Sequence, residues 1–132
     1  MRWSKKARRF TSSEAVDIKK RVVYLVGKIG VYWIETSRIF CIRSENSTSR
    51  AMARIWGLNN IWQKALKQDP AYVLEVISER FDRLPQHKQD EILIHELAHV
   101  PRNFSGALLP HSRRRGSFHD KLKIMLAAYK KL

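Results

Sequence analysis

Residues 85–101, PQHKQDEILIHELAHVP, decide how the chain is read. Ile92, Leu93, Leu97 and Val100 recur as one apolar stripe, which predicts a buried helix from Pro85 or Gln86 to about Val100. Pro101 stops it, because proline lacks the N–H that a further helical turn needs. Residues four apart on a helix lie one turn above each other, so His95 and His99 present two imidazoles to one point, with Glu96 beside them. Two such histidines suit Zn2+, and a catalytic zinc site adds a third protein ligand while leaving a position for water. The ion brings that water's pKa toward neutrality, and Glu96 can take its proton as general base and return it to a leaving amine. Imidazoles accept other transition metals too, so the pattern alone does not choose zinc. A chance H-E-x-x-H in this composition is roughly a one-in-a-hundred event. The bland alternative is a pair of hydrogen-bonded helix histidines beside a solvated glutamate.

The third ligand tests the idea. No glutamate follows His99, so a glutamate ligand cannot come from downstream. The longer pattern H-E-x-x-H-x-x-G-x-x-H fails as well, with Arg102 and Ser105 in its Gly and His positions. His111, His119 and Asp120 remain. His111 is preferred, since residues 100–110 (VPRNFSGALLP) can loop back to the metal face of the helix. His119 is the runner-up, from a last helix packed across the site. His87 reads as a solvated or capping residue.

Outward from the motif, the chain alternates element types. Ser12 or Ser13 is expected to cap a first helix through EAVDIKKRVVYLV, loosened at Gly27 and Gly30. Residues 38–42 (RIFCI) read as a short strand, and SENSTS after it as a polar loop. Residues 50–66 are ambiguous: ARIWGL fits a strand, and 60–66 either a helical turn or an extended edge. Residues 71–78 (AYVLEVIS) alternate as a strand should, with Tyr72, Leu74 and Val76 on one side and Val73, Glu75 and Ile77 on the other. A final helix is expected over Phe118 to Lys130, carrying Leu122, Met125, Leu126 and Tyr129. The expected fold is α+β, with a short sheet of about three strands, the motif helix and a C-terminal helix.

The 132 residues suit one domain, with a basic arm over 1–11 and a single folded unit over 12–132. The lone Cys41 can form no internal disulfide and excludes a cysteine-rich zinc ribbon. No run of about 18 apolar residues exists to span a membrane, and the basic N-terminus lacks a signal peptide's apolar stretch, so the expected location is the cytoplasm. The net charge of +14 is unevenly spread. Residues 1–66 hold 14 Lys/Arg against 4 Asp/Glu, residues 67–100 hold 4 against 7, and residues 101–132 hold 8 against 1. Basic flanks around a mildly acidic centre point to a polyanionic partner, nucleic acid being the usual one.

IHELAHVPRNFSGALLPH, with SRAMARIWGL and AYVLEVISERFDRL upstream, resembles the predicted archaeal and phage metallopeptidases, which are related in outline to SprT-like zinc proteases. The resemblance covers roughly residues 37–122 and is most specific from His95 to His111. It implies His95, His99 and His111 as metal ligands, Glu96 as general base, a protein or peptide substrate and a mini-zincin fold. It also implies that the strand AYVLEVIS lines the cleft and can pair with an extended substrate. The chain departs from the SprT-like pattern where Ser112 follows His111 and the next phenylalanine, Phe118, lies further on. Any DNA contact would come from the basic arms, Arg2 to Arg9 and Arg113 to Arg115. Two other functions fit the residues: a basic nucleic-acid-binding protein with a structural metal, its tryptophans (Trp3, Trp33, Trp56, Trp62) offering stacking surfaces, or a latent protease whose cleft is covered by a terminus.

Overall fold

The computed structural model describes residues 9–114 and 117–132. The first strand, β1 (Thr11–Glu14), leads into helix α1 (Val16–Ile29). A 3-10 turn at Thr36–Arg38 precedes β2 (Ile39–Glu45), and β3 (Ala53–Gly57) is followed by α2 (Asn60–Leu66). Then come β4 (Tyr72–Ile77), the short α3 (Ser78–Phe81), α4 (Gln86–Leu97) and α5 (Phe118–Lys130).

The four strands form one sheet in the order β1-β2-β4-β3. β2 and β4 run parallel, while both outer pairs are antiparallel. The sheet therefore has four strands where about three were expected, and the extra one is the segment expected to open the first helix. Ser12 and Ser13 cannot cap that helix because they pair with Ser44 and Arg43 along the edge of β2. Ala15 N–H bonds the Cys41 carbonyl, and the helix begins only at Val16. It buries Ile18, Val22 and Leu25 and leaves Val16 and Val23 exposed. Gly27 is carried within it, and Gly30 ends it in the left-handed conformation, its N–H on the Val26 carbonyl. The polar segment after Cys41 also differs from expectation: Ser44 and Glu45 belong to β2, and Ser44 is buried.

The alternation in β4 is as expected. Tyr72, Leu74 and Val76 join Ile39, Cys41, Phe81, Leu93, Leu97 and Met125 in the core. α1 packs on β2, α4 on β3, and α5 against both helices. Glu75, on the opposite side of β4, is also buried, accepting hydrogen bonds from Ser44, Arg54 and Trp56. Asp90 of α4 is fully buried and ties the helices together: it accepts from Arg21 of α1 (2.8 and 2.7 Å), Gln86 (2.9 Å) and Tyr129 of α5 (2.7 Å).

β4 lies between β2 and β3, so both of its edges are taken. The segment AYVLEVIS therefore cannot pair with a further strand, and among the described residues the open edge next to α4 belongs to β3. Ile77 N–H bonds the Met52 carbonyl and Leu58 N–H the Ala71 carbonyl. Even-numbered β3 residues thus turn their backbone toward β4, and by the alternation of an antiparallel ladder Ala53, Ile55 and Gly57 direct theirs outward.

Residues 1–8 of the expected basic arm and Arg115 of the arginine run lie outside the described residues. Among the described residues no helix is long and apolar enough to cross a membrane.

Candidate metal centre

α4 carries His95 and Glu96 in its last turn, and His99 follows one turn on. The helix ends at Leu97, short of the expected Val100. Ala98 N–H still reaches the Ile94 carbonyl, but His99 and Val100 N–H bond the carbonyls three residues back, of Glu96 and Leu97. The chain thus tightens into a 3-10-like turn before Pro101. Lys121 of α5, itself buried, donates to the Val100 carbonyl just beyond (2.6 Å).

The next ten residues form a loop held at three points. Phe104, with φ of 47°, inserts into the core edge-to-face on Tyr72 at 5.0 Å. The Tyr72 hydroxyl accepts from Gly106 N–H and donates to the Ala107 carbonyl, both at 2.8 Å. Gln63 of α2 donates to the carbonyls of Leu58 (2.6 Å) and Ser105 (2.8 Å). Gly106, at φ of 93°, and Gly57 lie in such close contact that a Cβ on Gly57 would sit 2.0 Å from the Gly106 carbonyl oxygen. Only glycine allows β3 and the loop to approach this closely.

So anchored, the loop brings Leu109 alongside His99. Leu109 N–H donates to the His99 carbonyl (2.7 Å), and His99 Nδ1 donates to the Leu109 carbonyl (2.5 Å). That bond occupies Nδ1 and leaves Nε2 as the atom His99 could offer a metal, an orientation that backbone carbonyls commonly give such imidazoles. His111 follows two residues on, its Nε2 3.1 Å from Nε2 of His95. One nitrogen from each of His95, His99 and His111 lies within 4.8 Å of the others. His119, the rival third ligand, is exposed on the first turn of α5 and outside this cluster, and His87 is exposed on the first turn of α4.

Phe118 walls the cluster. It stacks on His99 (centroids 4.2 Å apart, planes 23° apart) and meets His95 and His111 edge-on at 5.0 and 4.8 Å. Burial, together with the neighbouring imidazoles, lowers the pKa of His95. Burial also lowers that of His99, with His111 adding to the effect and the Leu109 hydrogen bond opposing it. Both shifts favour the neutral imidazole, the form that ligates metal. Glu96 is 9% exposed, its Oε2 has no hydrogen-bond partner among the described residues, and burial pushes its pKa up to about 7. Three convergent imidazoles and an orphaned buried carboxyl are a donor set that a metal ion fits.

Clefts open on either side of Glu96. One, of about 680 Å³, reaches from Glu96 and His95 to Met52, Ala53 and α5. The other runs from Glu96 and His99 to Arg54, Ile55 and Leu108–Pro110. Three imidazoles and a buried carboxyl between two clefts make a candidate site for a metal ion. Residues 10–128 match the model of the family described as "putative phage metallopeptidase", and the chain belongs to that family. No curated protein and no solved structure matches it.

The motif exposed His95, Glu96 and His99 to sequence reading, and the loop length exposed His111. Tyr72, Gln63 and Phe118 were missed as supports of the site. The signals for them were weak: an ordinary strand tyrosine, a glutamine in an ambiguous segment, and a phenylalanine beside the wrong histidine.

Proposed function

We propose that the chain is a zinc-dependent peptidase of zincin-like fold, in which His95, His99 and His111 hold the ion and Glu96 is the general base. The observation that carries this reading is the convergence of three imidazoles next to a buried carboxylate with an unpartnered oxygen. Zinc–nitrogen bonds of about 2.0–2.1 Å in a tetrahedral arrangement bring neighbouring nitrogens to about 3.4 Å, close to the 3.1 Å between His95 and His111. When bound, zinc supplies Lewis acidity that makes water a nucleophile near neutral pH and polarises the scissile carbonyl. The remaining work falls to this chain's own groups. Glu96 accepts a proton on the oxygen that no other group occupies and hands it to the departing amine. The Leu109 carbonyl fixes the His99 ring, and Phe118 keeps water from one side of the cluster. The outward N–H and carbonyl groups of Ala53 and Ile55 on β3 hold an extended peptide by adding it to the sheet edge.

Metal analysis of wild type, His111→Ala and His119→Ala tests the ligand set. The reading expects one zinc per chain in wild type and in His119→Ala, and its loss in His111→Ala. Metal-free wild type, or loss with His119→Ala alone, would overturn it. We also propose polyanion contact beside the site, supported by the exposed Arg102, Arg113 and Arg114 on segments flanking His111. Binding to a DNA duplex should then weaken steeply with salt, and a flat salt dependence would remove that part.

A further inference from the structure

The cleft on the His95 side of Glu96 has a wall that catalysis does not explain. Met52, Leu84, Ile92, Leu122 and Leu126 line it, drawn from the residue before β3, the turn before α4, and the packed helices α4 and α5. Ile92, Leu122 and Leu126 are half-buried against the core, so this wall is held in place rather than collapsible. Besides Glu96, the charged residues that line it are Lys88 and Glu91, which pair at 3.9 Å on α4. At about 680 Å³ it falls among cavities that enclose whole small-molecule groups, about 300–1,000 Å³. Exposed apolar surface of this extent marks a binding site, and its place beside Glu96 puts it within reach of whatever enters the candidate active site.

The geometry points to a specificity pocket: we infer that it takes a large apolar side chain, of the leucine, methionine or phenylalanine kind, from the residue immediately after the bond that is cut. This rests on the peptidase reading above and gives it a substrate class. The direction comes from the sheet. A peptide added antiparallel to β3, the more stable mode of pairing, passes Ile55 first and Ala53 second. Ile55 borders the cleft on the His99 side, Ala53 the apolar one, and Glu96 lies between. Residues on the amino side of the cleaved bond therefore lie toward Leu108–Pro110, and the first residue on the carboxyl side lies over the apolar wall.

The test is the cleavage profile of the zinc-loaded full chain on a randomised decapeptide mixture, read by mass spectrometry. Leucine, methionine or phenylalanine should be favoured about ten- to hundredfold over aspartate or glycine just after the cut, the worth of burying one such side chain. Met52→Trp, at an exposed position that the fold tolerates, should keep its zinc and shift the preference toward small residues. A flat profile with zinc bound, or an apolar preference on the amino side only, overturns the inference and leaves the peptidase reading intact. If no peptide is cleaved, methyl NMR with millimolar N-acetylphenylalanine amide decides instead. Shifts at Met52, Leu122 and Leu126, absent with N-acetylaspartate amide, would uphold the recess as a site for an apolar side chain, while its place after a cut bond falls with the hydrolase reading. Silence at those methyls would overturn the pocket.

Discussion

Asp90→Asn removes the charge at the junction of α1, α4 and α5 while keeping the side chain's shape. The wild-type carboxylate is fully buried and accepts four hydrogen bonds, two of them from the Arg21 guanidinium. Breaking a buried ion pair costs about 3–5 kcal/mol when the remaining charge is stranded. Arg21 is not fully stranded, because its side chain is 33% exposed and can turn to water. An amide also keeps one acceptor for Tyr129 or Gln86, so about 2–3 kcal/mol is the expected loss. An unfolding entropy of about 2.1 cal/mol/K per residue turns this into a fall in Tm of about 7–11 °C for 132 residues. Burial alone would raise the Asp90 pKa, but the bonds from Arg21, Tyr129 and Gln86 outweigh it and hold it below the usual value. Stability from a lowered carboxylate pKa is present above the unfolded value and is lost as pH falls through the folded one. The gap between wild type and variant should therefore be full at pH 7 and close in acid. Urea unfolding at the two pH values, with Arg21→Gln alone and combined in a double-mutant cycle, measures it. A loss below about 0.5 kcal/mol at pH 7, within the range of ordinary surface substitutions, would refute the reasoning.

Tyr72→Phe should cost about 1–3 kcal/mol by stranding Gly106 N–H and the Ala107 carbonyl, and it should weaken metal binding because that loop carries His111; unfolding curves and zinc titration check both. Burial, with Arg102 nearby, depresses the Lys121 pKa from 10.5 to about 8. The unfolded chain then binds the extra proton between those values, so wild-type stability should rise relative to Lys121→Met from about pH 8 to 10.5, as measured by denaturant midpoints across that range.

Part of the fold and of the site is legible in the sequence because its signals are local. His95 and His99 are spaced one helical turn apart, with Glu96 beside them, in a segment whose apolar stripe marks its buried side, and β4 shows its faces by alternation. Thr11–Glu14 misled because Ser12 and Ser13 are good helix caps in isolation; an open edge on β2, a long-range feature, claims them instead. The role expected of AYVLEVIS failed for a similar reason. Strand order decides which edge is free, and no residue of β4 records that β3 lies beyond it. His111 was within reach because only loop length was needed. The Tyr72 tether and the Phe118 wall join residues 34 and 19 positions away from them, and nothing in the local sequence marks such pairs.

Hydrolysis by Glu96→Gln beside wild type, both with zinc content determined, tests the central claim most directly. The amide keeps the shape of the side chain but cannot take the proton, so zinc should remain at the wild-type level while peptide cleavage falls by about a hundredfold or more. A zinc-loaded Glu96→Gln that cleaves peptide at the wild-type rate would contradict the account.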